Sequence, residues 1–308
     1  LLSGWLRSLG DSKTPLFFLV LSSVLNVILD LAFILIFKLG VFGASLATVL
    51  SQAISGLLCL LFIAVKVPIL HITREEWRPQ SKRMIELCAY GVPMGLQYSI
   101  TAIGSVILQV AVNSLGSLSV AAVTAASKVL NFLACPFDAL GSTMATYGAQ
   151  NVGASRYDRL NKGIYSASLM GFGYSLLALA IAWFFGRSLT GLFVSGDSSA
   201  QLVELAQTYM VTNVIAYPLL TLVNVVRFMI QGIGFSMFAI LAGVMEMIAR
   251  SLAGVFLVPA LGYFGAALGS PLAWVAADIF LVPAYFRCRR VLMSQSHHLH
   301  VKAEEGEL

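Results

Sequence analysis

The chain has 308 residues, of which 58% are hydrophobic and 11% charged, with a mean hydropathy of +0.87 and a formal net charge of +5. Soluble domains carry about 25% charged residues, so this composition cannot supply a water-facing surface for a fold of this size. An integral membrane protein is indicated, and a disordered chain, a secreted disulfide scaffold and an ordinary cytosolic enzyme are excluded.

In chain order, the first residues, Leu1-Leu2-Ser3-Gly4-Trp5-Leu6-Arg7, read as the cytoplasmic end of a membrane helix already under way. They lack the basic start of a signal peptide, and the expectation is a truncated N-terminus. Apolar stretches then predict eight helical spans, at 15–38, 41–66, 87–114, 118–147, 160–185, 203–226, 236–258 and 262–286. Each reaches the roughly 20 residues that cross about 30 Å of hydrocarbon. Runs such as Leu57-Leu58-Cys59-Leu60-Leu61-Phe62-Ile63 do not alternate, which argues against barrel strands. The expected fold is an all-α integral membrane protein.

Loop charges orient the spans. With the N-terminal end inside, 15 of the 19 Lys and Arg fall on the inner side and 2, Lys38 and Arg187, on the outer. The inner set includes Arg227, placed in a turn after the sixth span, and the basic residues of the tail. Lys128 and Arg250 fall within spans. The positive net charge comes from these inner loops, so no nucleic-acid partner is implied. Cys59, Cys88, Cys135 and Cys288 form no CxxC pair and read as small core residues.

Residues 7–52 and 227–274 resemble each other. Leu39-Gly40-Val41-Phe42-Gly43-Ala44-Ser45-Leu46 is echoed by Leu261-Gly262-Tyr263-Phe264-Gly265-Ala266-Ala267-Leu268. Both copies enter the membrane from the inside, so the repeat is parallel, an arrangement found in transporters. Four predicted helices precede the second copy and almost nothing precedes the first. Eight of twelve spans are therefore expected, in two six-helix lobes related by a parallel pseudo-two-fold repeat. Residues 1–66 would be the last third of the first lobe, 67–86 a cytoplasmic linker, 87–286 the complete second lobe, and 287–308 a cytoplasmic tail.

Charges inside the bilayer are expensive and point to function. Asp30 lies about two thirds of the way out along its span. Asn26 shares its face one turn earlier, and Thr48 on the returning helix is at similar depth. Carboxylate, amide and hydroxyl can bind a proton or coordinate Na⁺. Interhelical hydrogen bonding is the other role open to Asp30. In the second lobe, Glu246 and Arg250 are spaced to pair, and Lys128, Asp138 and Asp278 fall within reach of the same bundle interior. This network is either a neutralised polar core or a substrate-facing or proton-relay system. Gln97, Tyr98, Gln109 and Asn113 decorate the third span and either line a cavity or bond between helices. Pro93, Pro136 and Pro218 are predicted kinks or hinges. The tail carries His297, His298 and His300 beside Glu304, Glu305 and Glu307, read as a solvated tail rather than a metal site. No Walker, HExxH or GxSxG motif is present, so no ATPase, other enzyme, cofactor or metal is expected.

Several spaced motifs are similar to those of the MATE (multidrug and toxic compound extrusion) transporters. They are Arg7-Ser8-Leu9-Gly10-Asp11-Ser12-Lys13-Thr14-Pro15, Asn26-x-x-x-Asp30, Gly43-Ala44-x-x-Ala47-Thr48-x-x-Ser51-Gln52, Gly91-Val92-Pro93, and Gln150-Asn151-Val152-Gly153-Ala154 in a loop before Arg159. The resemblance implies a twelve-helix antiporter of a bacterial cytoplasmic membrane, driven by H⁺ or Na⁺. It would export amphipathic, often cationic compounds by alternating access, with the C-terminus cytoplasmic and no obligate protein partner. In the DinF-like branch, the residues matching Asn26, Asp30 and Thr48 form part of the first-lobe cation site, with a further acid from a first helix outside this chain. The NorM-like branch has an acidic residue where Thr101 stands here, so its site does not carry over. The alternatives are a lipid-linked oligosaccharide flippase of related fold, or an inactive fragment.

Overall fold

The computed structural model describes residues 2–71, 78–193 and 199–304, with side chains through 294. It is helical, with no strand among the described residues. The helices are α1 (Leu2–Ser8), α2 (Lys13–Leu31), α3 (Gly40–Lys66), α4 (Ser81–Asn113), α5 (Ser117–Gly153), α6 (Arg159–Gly191), α7 (Ser199–Ile215), α8 (Tyr217–Gly232), α9 (Ser236–Leu252), α10 (Val258–Leu261), α11 (Tyr263–Ala267) and α12 (Gly269–Glu304). Among the described residues, seven helical stretches are long and apolar enough to cross a membrane, and the bent pair α7–α8 supplies an eighth. The chain divides into two compact units, Leu1–Met84 and Ile85–Leu308.

Span number follows the apolar pattern, but the ends differ from those predicted. α4 begins at Ser81 and α5 runs to Gly153. A hydropathy window measures the hydrocarbon-facing length, whereas a helix continues until its backbone is capped. The Gln150–Gly153 motif therefore forms the last turn of α5, with Ala154 as its C-cap, rather than a loop. Likewise α8 extends to Gly232, so Arg227 stands inside a span and not in a turn. The inner count of basic residues falls from fifteen to fourteen. The tail histidines belong to α12, whose side chains beyond 294 lie outside the described residues, as do Glu305 and Glu307.

Of the predicted hinges, Pro218 marks a break. The axes of α7 and α8 differ by 49° at Ala216, and Pro218 occupies the first turn of α8, where its missing N–H costs no helical bond. Pro93 and Pro136 lie inside continuous helices. Around Pro136, Tyr217 and Tyr174 donate hydroxyl hydrogen bonds to the carbonyls of Leu130 and Leu133, anchoring the preceding turns of α5. The Phe137, Tyr174, Tyr217 and Trp274 rings form a packed chain, edge-on at 5.2 Å (Phe137–Tyr174) and 5.1 Å (Phe137–Tyr217) and tilted at 6.1 Å (Tyr217–Trp274) between centroids. This is the aromatic core of the second unit. The four cysteines are free; Cys59 and Cys288 are buried, but Cys88 and Cys135 are exposed and are not core residues.

The repeat is reproduced in backbone conformation. α2 passes into a π-helical turn at Ala32–Ile36, and α9 into one at Ala253–Leu257. Gly40 and Gly262 then take φ of 54° and 59°, the left-handed region open to glycine. The matched glycines that follow, Gly43 and Gly265, abut the end of the preceding helix, where a Cβ would lie 2.9 Å from Phe33 Cβ and 2.1 Å from the Leu257 carbonyl oxygen.

Candidate functional site

In the first unit, α2 and α3 pack antiparallel through small residues, with Ser55 Oγ donating to the Phe18 carbonyl at 2.7 Å. This pairing brings Asn26 and Thr48 together, with Asn26 Nδ2 donating to Thr48 Oγ1 at 3.4 Å. The Thr48 hydroxyl donates to the Ala44 carbonyl at 3.0 Å, so its lone pairs face the amide. Asp30 follows Asn26 by one turn, partly buried, two residues before the π-helical turn. Its Oδ1 has no hydrogen-bond partner among the described residues. π-Helical turns occur often at functional sites, and an unmatched buried acceptor is costly unless it takes a proton or cation.

In the second unit, α8, α9 and α12 pack together and build a buried charged cluster. Arg227 of α8 and Arg250 of α9 share the carboxylate of Glu246: Arg227 Nη2 bonds Oε1, and Arg250 Nη2 lies 3.3 Å from Oε2. Arg250 Nη1 also donates to the Thr101 carbonyl at 3.3 Å. Glu246 is 2% exposed and both arginines 6%. Asp278 of α12, 8% exposed, is in electrostatic reach of Arg227 and Glu246, yet neither of its oxygens has a hydrogen-bond partner among the described residues.

Arg227, Glu246 and Arg250 wall a cavity of about 360 Å³ that Gln97, Tyr98, Asp138 and Asn224 also line, whereas Asp278 does not border it. A second cavity, of about 340 Å³, is lined by Gln109, Tyr209, Asn213, Tyr217 and Ser270 among others. Asn131, Leu220, Arg250 and Trp274 border both.

Thus the structure brings Glu246, Arg250 and Asp278 together and puts Asp138 on the wall of the cavity that Glu246 and Arg250 line. It does not bring Lys128 there. That side chain is exposed, with its Nζ 5.2 Å from the Phe193 ring centroid. The correction is one of helix rotation: the buried face of α5 passes through Ala125, Ala126 and Val129, which turns Lys128 outward. Arg227 takes the place given to Lys128. Its signal was the spacing of Asn224, Arg227 and Gln231 along α8, a polar stripe at helical period; Gln231 Nε2 donates to Gln97 Oε1 at 3.4 Å. Gln97 is buried at an interhelical contact, whereas Tyr98 is 56% exposed on the rim. Gln109 Nε2 donates to Asn113 Oδ1 at 3.0 Å, with Asn113 exposed beyond the cavity. Among the described residues no group of His, Cys, Asp and Glu is arranged to hold a metal ion.

Outside the spans, Asp11 Oδ1 accepts the backbone N–H groups of Lys13 and Thr14, at 3.1 and 3.0 Å, at the start of α2. Hydrogen bonding from Thr14 holds its carboxyl below the ordinary carboxylate range.

Three comparisons bear on this architecture. The family model MatE matches residues 93–256. The probable multidrug resistance protein YpnP of Bacillus subtilis is 29% identical over 230 residues, covering 74% of this chain and 49% of that protein. A FAD transporter of Shewanella oneidensis is 26% identical over 219 residues, covering 69% and 47%. The chain spans about half the length of these curated relatives. A solved MATE structure in complex with MaL6 superposes with a TM-score of 0.87 at 22% identity, over 94% of this chain and 65% of that one.

Proposed function

The chain belongs to the MATE family, and from that premise we propose that the protein works as an H⁺- or Na⁺-coupled antiporter. In this reading it exports amphipathic compounds, cationic ones among them, by alternating access of two lobes. The observation that carries the coupling is Asp30. It is an ionisable side chain in a span, with one buried oxygen left without a hydrogen-bond donor and with the Asn26–Thr48 pair one turn away. A proton or Na⁺ arriving there satisfies the carboxylate, and its departure restores the cost of an unmatched buried charge. The adjacent π-helical turn lets that change in local energy alter helix packing. The second-unit residues Asp138, Glu246 and Arg250, joined by Arg227, form the polar wall that a cargo meets, with Asp278 behind it. Lys128 has no part in this wall.

The placement proposed is a cytoplasmic membrane, with the chain ends on the side that carries fourteen basic residues against two. Residues 1–66 serve as part of one lobe, 67–86 as linker, 87–286 as the other lobe and 287–308 as tail. The relatives' names span drugs and FAD, so family membership supports transport without naming a cargo.

The test is dye transport in everted vesicles under an imposed proton gradient and then a Na⁺ gradient, with wild type and Asp30→Asn. Transport under one gradient, abolished in the variant while the folded protein persists, is the expected result. Wild-type efflux by Asp30→Asn removes Asp30 from the coupling role.

A further inference from the structure

We propose that the cavity of about 340 Å³ in the second unit binds a planar aromatic compound bearing an anionic group, with the Arg250 guanidinium as its anchor. The assignment concerns binding by this unit and does not depend on ion coupling.

The first argument is charge. Two guanidiniums share the one carboxylate of Glu246; Asp278, a second carboxylate in reach of the cluster, stands toward Arg227 and Glu246 and does not line this cavity, so the charge the cavity meets is the positive one of Arg250. Arg250 has a second protein contact to a neutral carbonyl, that of Thr101, and a guanidinium offers five N–H donors in all. Asp278 bonds to neither arginine, and Asp138 lines the other cavity rather than this one. Among the described residues, Arg250 is the one formally charged side chain on this cavity's wall. A guanidinium that only shares its counter-charge has N–H donors left for an anion in this cavity, and guanidinium–oxyanion hydrogen bonds are short and charge-assisted.

The second argument is shape and chemistry. Tyr209, Tyr217 and Trp274 border the space, and six serine and amide side chains, Asn131, Asn213 and Ser270 among them, supply polar atoms beside Arg250. A space of this volume, bordered by aromatic side chains on one hand and polar ones on the other, suits a fused two-ring compound that carries a polar group. The rings would also attract a cation, but Arg250 opposes it in the same space. The net sign of ligand charge is therefore the measurable quantity.

The experiment uses the purified full chain in detergent and three probes on one naphthalene ring system: naphthalene-2-sulfonate, 2-naphthalenemethanol and 2-naphthylmethylammonium. Saturable binding is followed by isothermal titration. Wild type is expected to bind the sulfonate about tenfold or more tightly than the ammonium probe. Arg250→Gln should weaken the sulfonate about tenfold, leaving the neutral alcohol within about twofold. Trp274→Leu should weaken all three, which locates the site. Equal or tighter binding of the ammonium probe overturns the proposal. So does sulfonate affinity unchanged in Arg250→Gln, affinities unchanged in Trp274→Leu, or the absence of saturable binding to wild type. If Arg250→Gln does not elute as a single folded species, the wild-type ranking and the Trp274→Leu result decide. Failure here leaves the antiporter reading standing, since that is judged by Asp30 and gradient-driven flux.

Discussion

Replacing Glu246 by glutamine keeps the shape of the side chain and removes the one carboxylate that two buried arginines share. The glutamine's amide oxygen can still accept from one arginine, but the NH₂ group cannot accept from the other, and both guanidiniums lose the neutralising charge; the Arg227 Nε is already unpartnered. Arg250 keeps the Thr101 carbonyl. Breaking a buried ion pair from one side costs about 3–5 kcal/mol. Removing Arg250 instead leaves Glu246 paired with Arg227, so Arg250→Met should cost only the loss of a charged hydrogen bond, about 1.5–3 kcal/mol. Replacing all three, as Arg227→Met/Glu246→Leu/Arg250→Met, should return stability close to wild type, because none of the three charges that bond one another is then left without its partner. The singles are expected to be strongly non-additive. The assay is thermal unfolding in one detergent, read by the reaction of a fluorogenic maleimide with Cys288, a buried free thiol in the same unit. Cys88, Cys135 and Cys59 are first changed to serine or alanine. The reasoning is refuted if Glu246→Gln unfolds with wild-type stability, or if the triple variant loses the sum of the single losses.

Gly232 packs against α5, where an added Cβ would stand 2.2 Å from the Ala145 carbonyl oxygen. Because that neighbour is backbone and cannot rotate away, Gly232→Ala should destabilise the protein by about 1–3 kcal/mol or more, measured by the same thiol assay. Tyr285→Phe removes a 2.7 Å hydrogen bond to Asn161 Oδ1 between α12 and α6 and should cost about 1 kcal/mol in unfolding. For Asp11, the folded carboxyl titrates below its unfolded value. Its contribution is therefore present above the ordinary carboxylate pKa and is lost as pH falls through the lowered one. Protection of the Lys13 and Thr14 amides, taken against the intrinsic exchange rate at each pH, should fall on acidification in wild type. In Asp11→Ala it should already be low at neutral pH, and identical protection in the two proteins at neutral pH would remove this role of Asp11.

The membrane class, the helical content, the eight apolar segments and the repeat were legible in the sequence, because run length, composition and glycine placement are local properties written residue by residue. The i, i+4 relation of Glu246 and Arg250 and the shared face of Asn26 and Asp30 belong to that class, since they follow from one helix's own geometry. What the tertiary structure decided was which faces meet. Lys128 and Arg227 are both basic residues in or near predicted spans, and although Asn224, Arg227 and Gln231 mark a polar stripe on α8, no local pattern says what that stripe meets. Rotation of α5 turns the first outward over Phe193, while the packing of α8 on α9 carries the second to Glu246, nineteen residues away in the chain. The sharing of one carboxylate by two arginines, and the aromatic cavity that borders it, arise from side chains on different helices. Their convergence depends on helix rotation and crossing, which no apolar run length encodes.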